Sequence, residues 1–366
     1  MPAARNEDDD SFQGQAVANA SFNVPRRSSL VKMDGSFYYP AYGLQLCSSR
    51  SIPSLIPIEK NPFPCVDVCF EGLPRWFGGS FLKECRTTLV QFPDLTVTVI
   101  RTPTDTYWHL WFTDHTEYLI KNDGLEIWVS WRESVAFADV CASLLGPVFG
   151  LVLQLRGRTP LHASTVVIDG LAVAFLGPSE AGKSTTAAKF AQLGYAVLAE
   201  DVLSFLPDDD EFMATPGYPE IRLWPQSVKM LHSRADSSSY HPAGQDKLVL
   251  DLQPGAYRFE AEPKPLAAIY VLKTRKDDET APYLEPLEPH RALLELLANT
   301  LGRSLIDAEC RARNFSFLAR LARAVPLRKM VPHCNPDRLE KMCALIAGDF
   351  RKQVVPWWKM RTGTHV

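Results

Sequence analysis

The chain has no Cys-x-x-Cys pair, no excess of positive charge and no apolar N-terminal core, and each of these gaps removes a class of function. Its eight cysteines (Cys47, Cys65, Cys69, Cys85, Cys141, Cys310, Cys334 and Cys343) are scattered, which in a chain of this size reads as reduced thiols rather than a disulfide framework. Cys65 and Cys69 with a distant histidine are only a weak zinc suggestion. A formal net charge of −3 and a pI near 6.3 give no electrostatic case for nucleic acid as the main partner. No apolar run approaches the roughly 18 residues of a membrane-spanning helix, and Met1 to Asp10 lacks a signal-peptide core. No membrane partner is therefore expected, and the cytoplasm is the default location.

What remains is an ordinary globular mix, 46% apolar and 22% charged over 366 residues, enough for about two domains. Residues 1–35 are polar and acid-rich early, with Arg26-Arg27-Ser28-Ser29 later, and read as a disordered leader. Residues 36–150 read as a β-rich N-terminal domain ending in a linking helix, Ser134 to Leu155. Its strand-like runs include Leu95–Ile100 and Tyr107–Phe112, and Asn122-Asp123-Gly124 predicts a hairpin between Thr116–Lys121 and Leu125–Trp131. Trp108, Trp111, Trp128 and Trp131 are expected to pack rather than to form a peptide-binding surface. Residues 151–350 read as an α/β catalytic domain, and 351–366 as a poorly ordered tail.

The informative stretch is Gly177-Pro178-Ser179-Glu180-Ala181-Gly182-Lys183-Ser184, followed by Thr185, a complete G-x-x-x-x-G-K-[ST] phosphate-binding loop. Leu171–Leu176 predicts the buried strand that feeds it, and Ser184–Leu193 the helix that leaves it, closed by Gly194. Backbone N–H groups in such a loop wrap phosphate oxygens at the positive helix end, while Lys183 reaches the β- and γ-phosphates and Ser184 ligates Mg²⁺. Asp169-Gly170 predicts a tight hairpin, so the strand entering the loop has an antiparallel neighbour in His162–Ile168. Tyr195–Asp201 reads as a strand ending in two acids, where a nucleotide site needs a carboxylate.

Leu161-His162-Ala163, the Ile168-Asp169-Gly170 turn, Gly177 to Thr185 and Glu200-Asp201 occur in an order that resembles the catalytic domain of HPr kinase/phosphorylase. The stretch is similar above all to the shorter HPr-kinase-like proteins encoded beside peptide-modifying enzymes, including kinases of lasso-peptide pathways. Tyr42-Gly43-Leu44 and Ser51-Ile52-Pro53 extend the resemblance to about residue 38. It implies a P-loop catalytic domain of the HPr kinase and phosphoenolpyruvate carboxykinase type, and transfer from ATP with Mg²⁺ to a serine of a protein or peptide, such as a ribosomally made precursor. It further implies Asp201 as proton acceptor, His162 near the γ-phosphate, Glu220 as a Mg²⁺ ligand and Arg222 near the phosphates. A homo-oligomer is also implied. The sequence departs from the family at Glu200, where an aspartate is usual and which is read as a metal ligand or strand cap. It departs again at Glu180, where HPr kinase has glycine and the side chain is expected to point outward. Leu223-Trp224-Pro225 replaces the glycine-rich continuation. Lys247, after a polar stretch from Ser233 to Gln245 that reads as a mobile loop, is a further candidate phosphate contact. A kinase of a free amino acid and a non-catalytic ATP-binding regulator remain open at this point.

Overall fold

The computed structural model describes residues 36–53, 55–61, 65–78, 85–207, 211–231, 240–243, 247–252 and 257–363. The expected leader lies outside them, as does most of the loop expected between Ser233 and Gln245. The fold is mixed α/β with a β-rich N-terminal region, and Lys32–Val366 form one compact unit.

The N-terminal region is an eight-stranded sheet of β1 (Phe37–Ala41), β2 (Leu44–Ser48), β3 (Cys65–Cys69), β4 (Arg86–Gln91), β5 (Leu95–Arg101), β6 (Thr106–Phe112), β7 (Glu117–Lys121) and β8 (Glu126–Ser130). Their spatial order is β1-β2-β3-β8-β7-β6-β5-β4, antiparallel except where β3 runs parallel to β2 and β8. The Asn122-Asp123-Gly124 turn closes as its residues predict, with the Gly124 N–H donating to Lys121 O at 2.8 Å and Gly124 at φ +67°. The four tryptophans divide between the faces and ends of the sheet. Trp108 joins the inner core and donates to Asn122, while Trp128 meets Tyr107 on the other face. Trp131 packs against Phe70 and Phe137, and Trp111 against His115.

The inner face of that sheet buries α1 (Phe137–Ser143), a π-helical turn (Leu144–Val148) and α2 (Phe149–Leu155). Pro147 has no N–H to donate and interrupts regular α-helix, which accounts for the wider turn. These segments form one continuous helix, Phe137–Leu155, whose 19 residues are long and apolar enough by composition to cross a membrane. That corrects the expectation that no stretch approaches such a length, because Asp139, Ser143 and Gln154 break the run in sequence but not the helix. The helix is mostly buried in the core: Leu144, Val148, Phe149 and Val152 are fully enclosed, with Val140 nearly so.

The second sheet comprises β9 (Ser164–Ile168), β10 (Leu171–Leu176), β11 (Ala196–Ala199), β12 (Met213–Ala214), β16 (Lys264–Leu272), β17 (Tyr283–Pro286) and β18 (Leu327–Val331), ordered β11-β9-β10-β16-β18-β17 with β12 on β16. A small sheet of β13 (Glu220–Leu223), β14 (Tyr240–Ala243) and β15 (Lys247–Asp251) lies beside it in the chain. As the Asp169-Gly170 turn predicts, β9 and β10 are antiparallel, and both turn residues have positive φ. On its other side β10 is parallel to β16, and β16 is parallel to β18. Three parallel strands therefore end together, the edge at which ligands bind in such sheets. The helices are α3 (Lys183–Gln192), α4 (Pro225–Leu231), α5 (Pro289–Ala298), α6 (Ala308–Ala324), α7 (Leu339–Asp349) and α8 (Val355–Thr362). The last corrects the expectation of a poorly ordered tail. Helix continues to Thr362, and Trp358 is only 5% exposed among the residues that cover β10 and β16.

Candidate active site

β10 is buried at all six positions and delivers the chain to Gly177, whose φ of +148° few L-residues adopt. A Cβ at that position would lie 2.7 Å from the carbonyl oxygen of Leu272 at the end of β16. The loop thus presses its backbone against the neighbouring parallel strand. Gly177→Ala is expected to cost at least about 1–3 kcal/mol through strain and clash. A thermal melt of the variant at or above the wild-type midpoint would contradict this reading of the loop.

Gly182, at φ +101°, occupies the N-cap of α3, and no side chain caps that end among the described residues. The first N–H groups of the helix are therefore left to an anion. Lys183 is 6% exposed and folds back, its Nζ donating to Gly177 O at 2.9 Å and Pro178 O at 3.1 Å. Burial is the main cause lowering its pKa, with Glu200 and Asp201 opposing. Pro178, Ser179 and Glu180 form the exposed lip, Glu180 at φ +63°. Ala181 and Ser184 are half-buried, and Thr185 donates to Ser227 Oγ at 3.0 Å, tying α3 to α4.

β11 ends at Ala199, so both acids lie just past the strand. Glu200 is 1% exposed, and neither of its carboxylate oxygens has a hydrogen-bond partner among the described residues. The Ser184 and Ser164 hydroxyls adjoin it and favour its charged form without completing hydrogen-bond geometry, while burial first and Asp201 second push the carboxyl up to about 8. A buried carboxylate left without partners is a costly group that a cation would satisfy. Glu200 and Ser184 together suit a hard divalent ion such as Mg²⁺.

Asp201 sits at φ +58° with a third of its side chain exposed. His162 Nδ1 lies 3.0 Å from Asp201 O and 4.0 Å from Asp201 Oδ1. A carbonyl can only accept, so Nδ1 carries the proton and Nε2 presents a lone pair in the neutral ring. Burial, then Lys183, lowers the His162 pKa and favours that neutral form. The His162 N–H donates to Asn299 O at 2.7 Å, and reciprocal N–H···O bonds between Leu161 and Leu203, each 2.9 Å, hold the His162 and Asp201 segments side by side.

Lys247 also reaches this group, since its charge acts on both His162 and Lys183. β13 and β15 pair at Leu223 and Leu248, which sets Trp224 opposite Lys247, and the ammonium stands 5.1 Å from the centroid of the Trp224 ring. Trp224→Ala is expected to free Lys247 and lower any phosphoryl transfer at this site by about 3–10-fold at unchanged stability, with Trp224→Phe restoring most of it. Equal loss in both variants would show that the ring acts otherwise.

Two candidates stand in other company. Arg222 Nη2 donates to Asp139 Oδ1 at 3.2 Å, a largely buried pair that joins β13 to α1. Glu220 opens β13, and its charge acts on the buried Tyr218 together with those of Asp201, Arg222 and Glu200. Tyr218 in turn packs edge-on against Tyr42 at 6.5 Å, and Tyr42 donates to Leu145 O at 2.6 Å. The Tyr42-Gly43 turn thereby links the N-terminal sheet to the floor of the site. Sequence reasoning missed Arg275, in the loop after β16, whose Nη2 would lie 3.1 Å from a Cβ at Gly182. Only the alternation of β16 with a following loop could have drawn attention to it.

No protein-family model matches the chain, and no curated protein matches it. Among solved structures, the HPr(Ser) kinase/phosphatase from Coxiella burnetii aligns over 56% of this chain and 99% of its own, at 12% identity and a TM-score of 0.26. A likeness of that size fixes neither fold type nor activity.

Proposed function

We propose that the chain is an ATP- and Mg²⁺-dependent kinase of the HPr-kinase-like type, transferring the γ-phosphoryl group to a serine hydroxyl of a protein or peptide. The observation that carries this reading is the meeting of Lys183, Glu200, Asp201 and His162 around a loop whose glycines hold it against the parallel strands, with the buried Glu200 carboxylate lacking a completed hydrogen bond among the described residues. The N–H groups of Ser179, Glu180, Gly182, Lys183 and Ser184, at the loop and the α3 terminus, receive the β-phosphate, while that of Ala181 is held by Pro178 O, and Lys183 balances charge on the β- and γ-oxygens. Ser184 and Glu200 would hold Mg²⁺, which when bound neutralises charge on the phosphate oxygens.

Asp201 accepts the serine proton as the new O–P bond forms and the bond from the γ-phosphorus to its bridging oxygen breaks, releasing ADP. Proton acceptance of this kind supplies about 10²–10⁴-fold of rate, the rest coming from positioning and charge. His162, neutral and fixed through Nδ1, presents its Nε2 lone pair as an acceptor toward the serine hydroxyl, and Lys247 adds a cation whose charge acts on His162 and Lys183. The acceptor class is tested directly with γ-labelled ATP, Mg²⁺ and precursor peptides, and the phosphate is located by mass spectrometry. Phosphoserine formed on a peptide supports the reading. Transfer only to a free amino acid, or ATP binding without any transfer, sinks it.

A further inference from the structure

Away from the loop, a second concave surface gathers four guanidinium groups. Arg156, Arg158, Arg313 and Arg320, with Ser316 between the last two on α6, line a pocket of about 280 Å³, and among the described residues no Asp or Glu lines it. The partners of three of these arginines are neutral. Arg158 donates to the carbonyls of Tyr42 at 2.6 Å and Gly43 at 3.0 Å, and Arg156 to the carbonyl of Asp123 at 3.2 Å. Arg313 Nη2 donates to Gln154 O at 3.3 Å and contacts Cys310 Sγ at 3.1 Å. Arg313 Nε is buried with no acceptor among the described residues. Asp307, which feels the charge of Arg313, does not line the pocket.

Carbonyl oxygens orient the Arg156 and Arg158 guanidinium groups without neutralising them, and like charges crowded into one partly desolvated cavity repel. Arg158 registers both effects, its pKa lowered by burial and then by Arg156. An arrangement of this kind is stable with a counter-charge in the cavity, and forked guanidinium donors suit the paired oxygens of a phosphate. We infer that this pocket is a second anion site, separate from the loop, for a compact oxyanion of two or more charges such as a pyrophosphate group. None of its lining residues belongs to the loop or to the His162 and Asp201 pair. Thr159 of its wall lies three residues before His162 and Phe205 lies four after Asp201, so a bound anion would tie α6 to the paired segments that carry those two side chains.

Asp208, Asp209 and Asp210 follow the pocket residue Pro207 in sequence and lie outside the described residues, and the test includes them. Inorganic pyrophosphate is titrated calorimetrically into the wild-type chain, Lys183→Ala, Arg156→Gln, Arg313→Gln and a variant with all three aspartates changed to asparagine. Arg156 is exposed, so its replacement is expected to leave the melting temperature unchanged and serves as the folding-safe arm. The expected result is a binding event that survives Lys183→Ala, weakens at least about tenfold in both arginine variants, and weakens with added salt. Two events in the wild type, one lost with Lys183 and one with Arg313, support both this site and the nucleotide reading. A single event sensitive to the arginines alone supports this site while the nucleotide reading fails. Binding unaffected by either arginine overturns the inference. So does binding seen only in the asparagine variant, which would make the acidic run the pocket's own counter-charge.

Discussion

Asp201→Asn is expected to lower phosphoryl transfer to serine by at least about 100-fold while ATP affinity stays within about threefold of wild type. The substitution is structurally mild. Asp201 has a φ of +58°, a left-handed conformation that asparagine adopts as readily as aspartate. The contact with His162 that fixes the imidazole runs through the Asp201 backbone carbonyl at 3.0 Å and is kept. What is removed is the carboxylate, and with it the proton acceptor. Single-turnover transfer and ATP binding measured on the same preparation separate the two effects. Transfer retained within tenfold would move the base to another group, with the lone pair of His162 Nε2 the nearest alternative in this geometry.

Glu200→Gln is expected to reverse sign with conditions. The folded carboxyl is pushed up to about 8 from an ordinary 4.5, by burial first and Asp201 second. Below pH 4.5 it is protonated in folded and unfolded chains alike. Between there and pH 8 the folded chain holds a proton that the unfolded chain releases, so this group's contribution to stability is lost as pH rises. In chelator at pH 8 the glutamine variant should therefore be more stable than wild type by roughly 2–4 kcal/mol, a gap that closes toward pH 5. With Mg²⁺ the order should invert, because the ionised carboxylate gains a cation that the amide binds poorly. Melting curves across pH with chelator or Mg²⁺ check both halves. A variant less stable than wild type at pH 8 in chelator would mean that the carboxyl has a partner after all.

Local patterns in the sequence account for the strand, loop and helix from Leu171 to Gln192. A run of buried β-formers, glycines where the backbone needs positive φ and a closing Gly194 are instructions read within a few residues. The Asp169-Gly170 and Asn122-Asp123-Gly124 hairpins were legible for the same reason. The limits of such reading appear where a residue's partner is distant in sequence. Arg222 follows Glu220 as the resemblance requires, yet its charge is taken by Asp139, 83 residues earlier. Residues 351–366 read as a poorly ordered tail, yet Trp358 is buried in the core cluster that includes residues of β10 and β16.

The sequence by itself thus determined the strand, loop and helix around Gly177–Ser184, the two hairpins, and the order in which histidine, loop and acids occur, because each rests on backbone preference and side-chain period over a few residues. Only the tertiary structure decided that Glu200 is sealed from solvent without a completed hydrogen bond among the described residues, that Trp224 faces Lys247 across two strands, that the 19-residue apolar helix is a core element, and that four arginines share one cavity. Those outcomes depend on which distant segments exclude water from one another, a property of packing that no local pattern encodes.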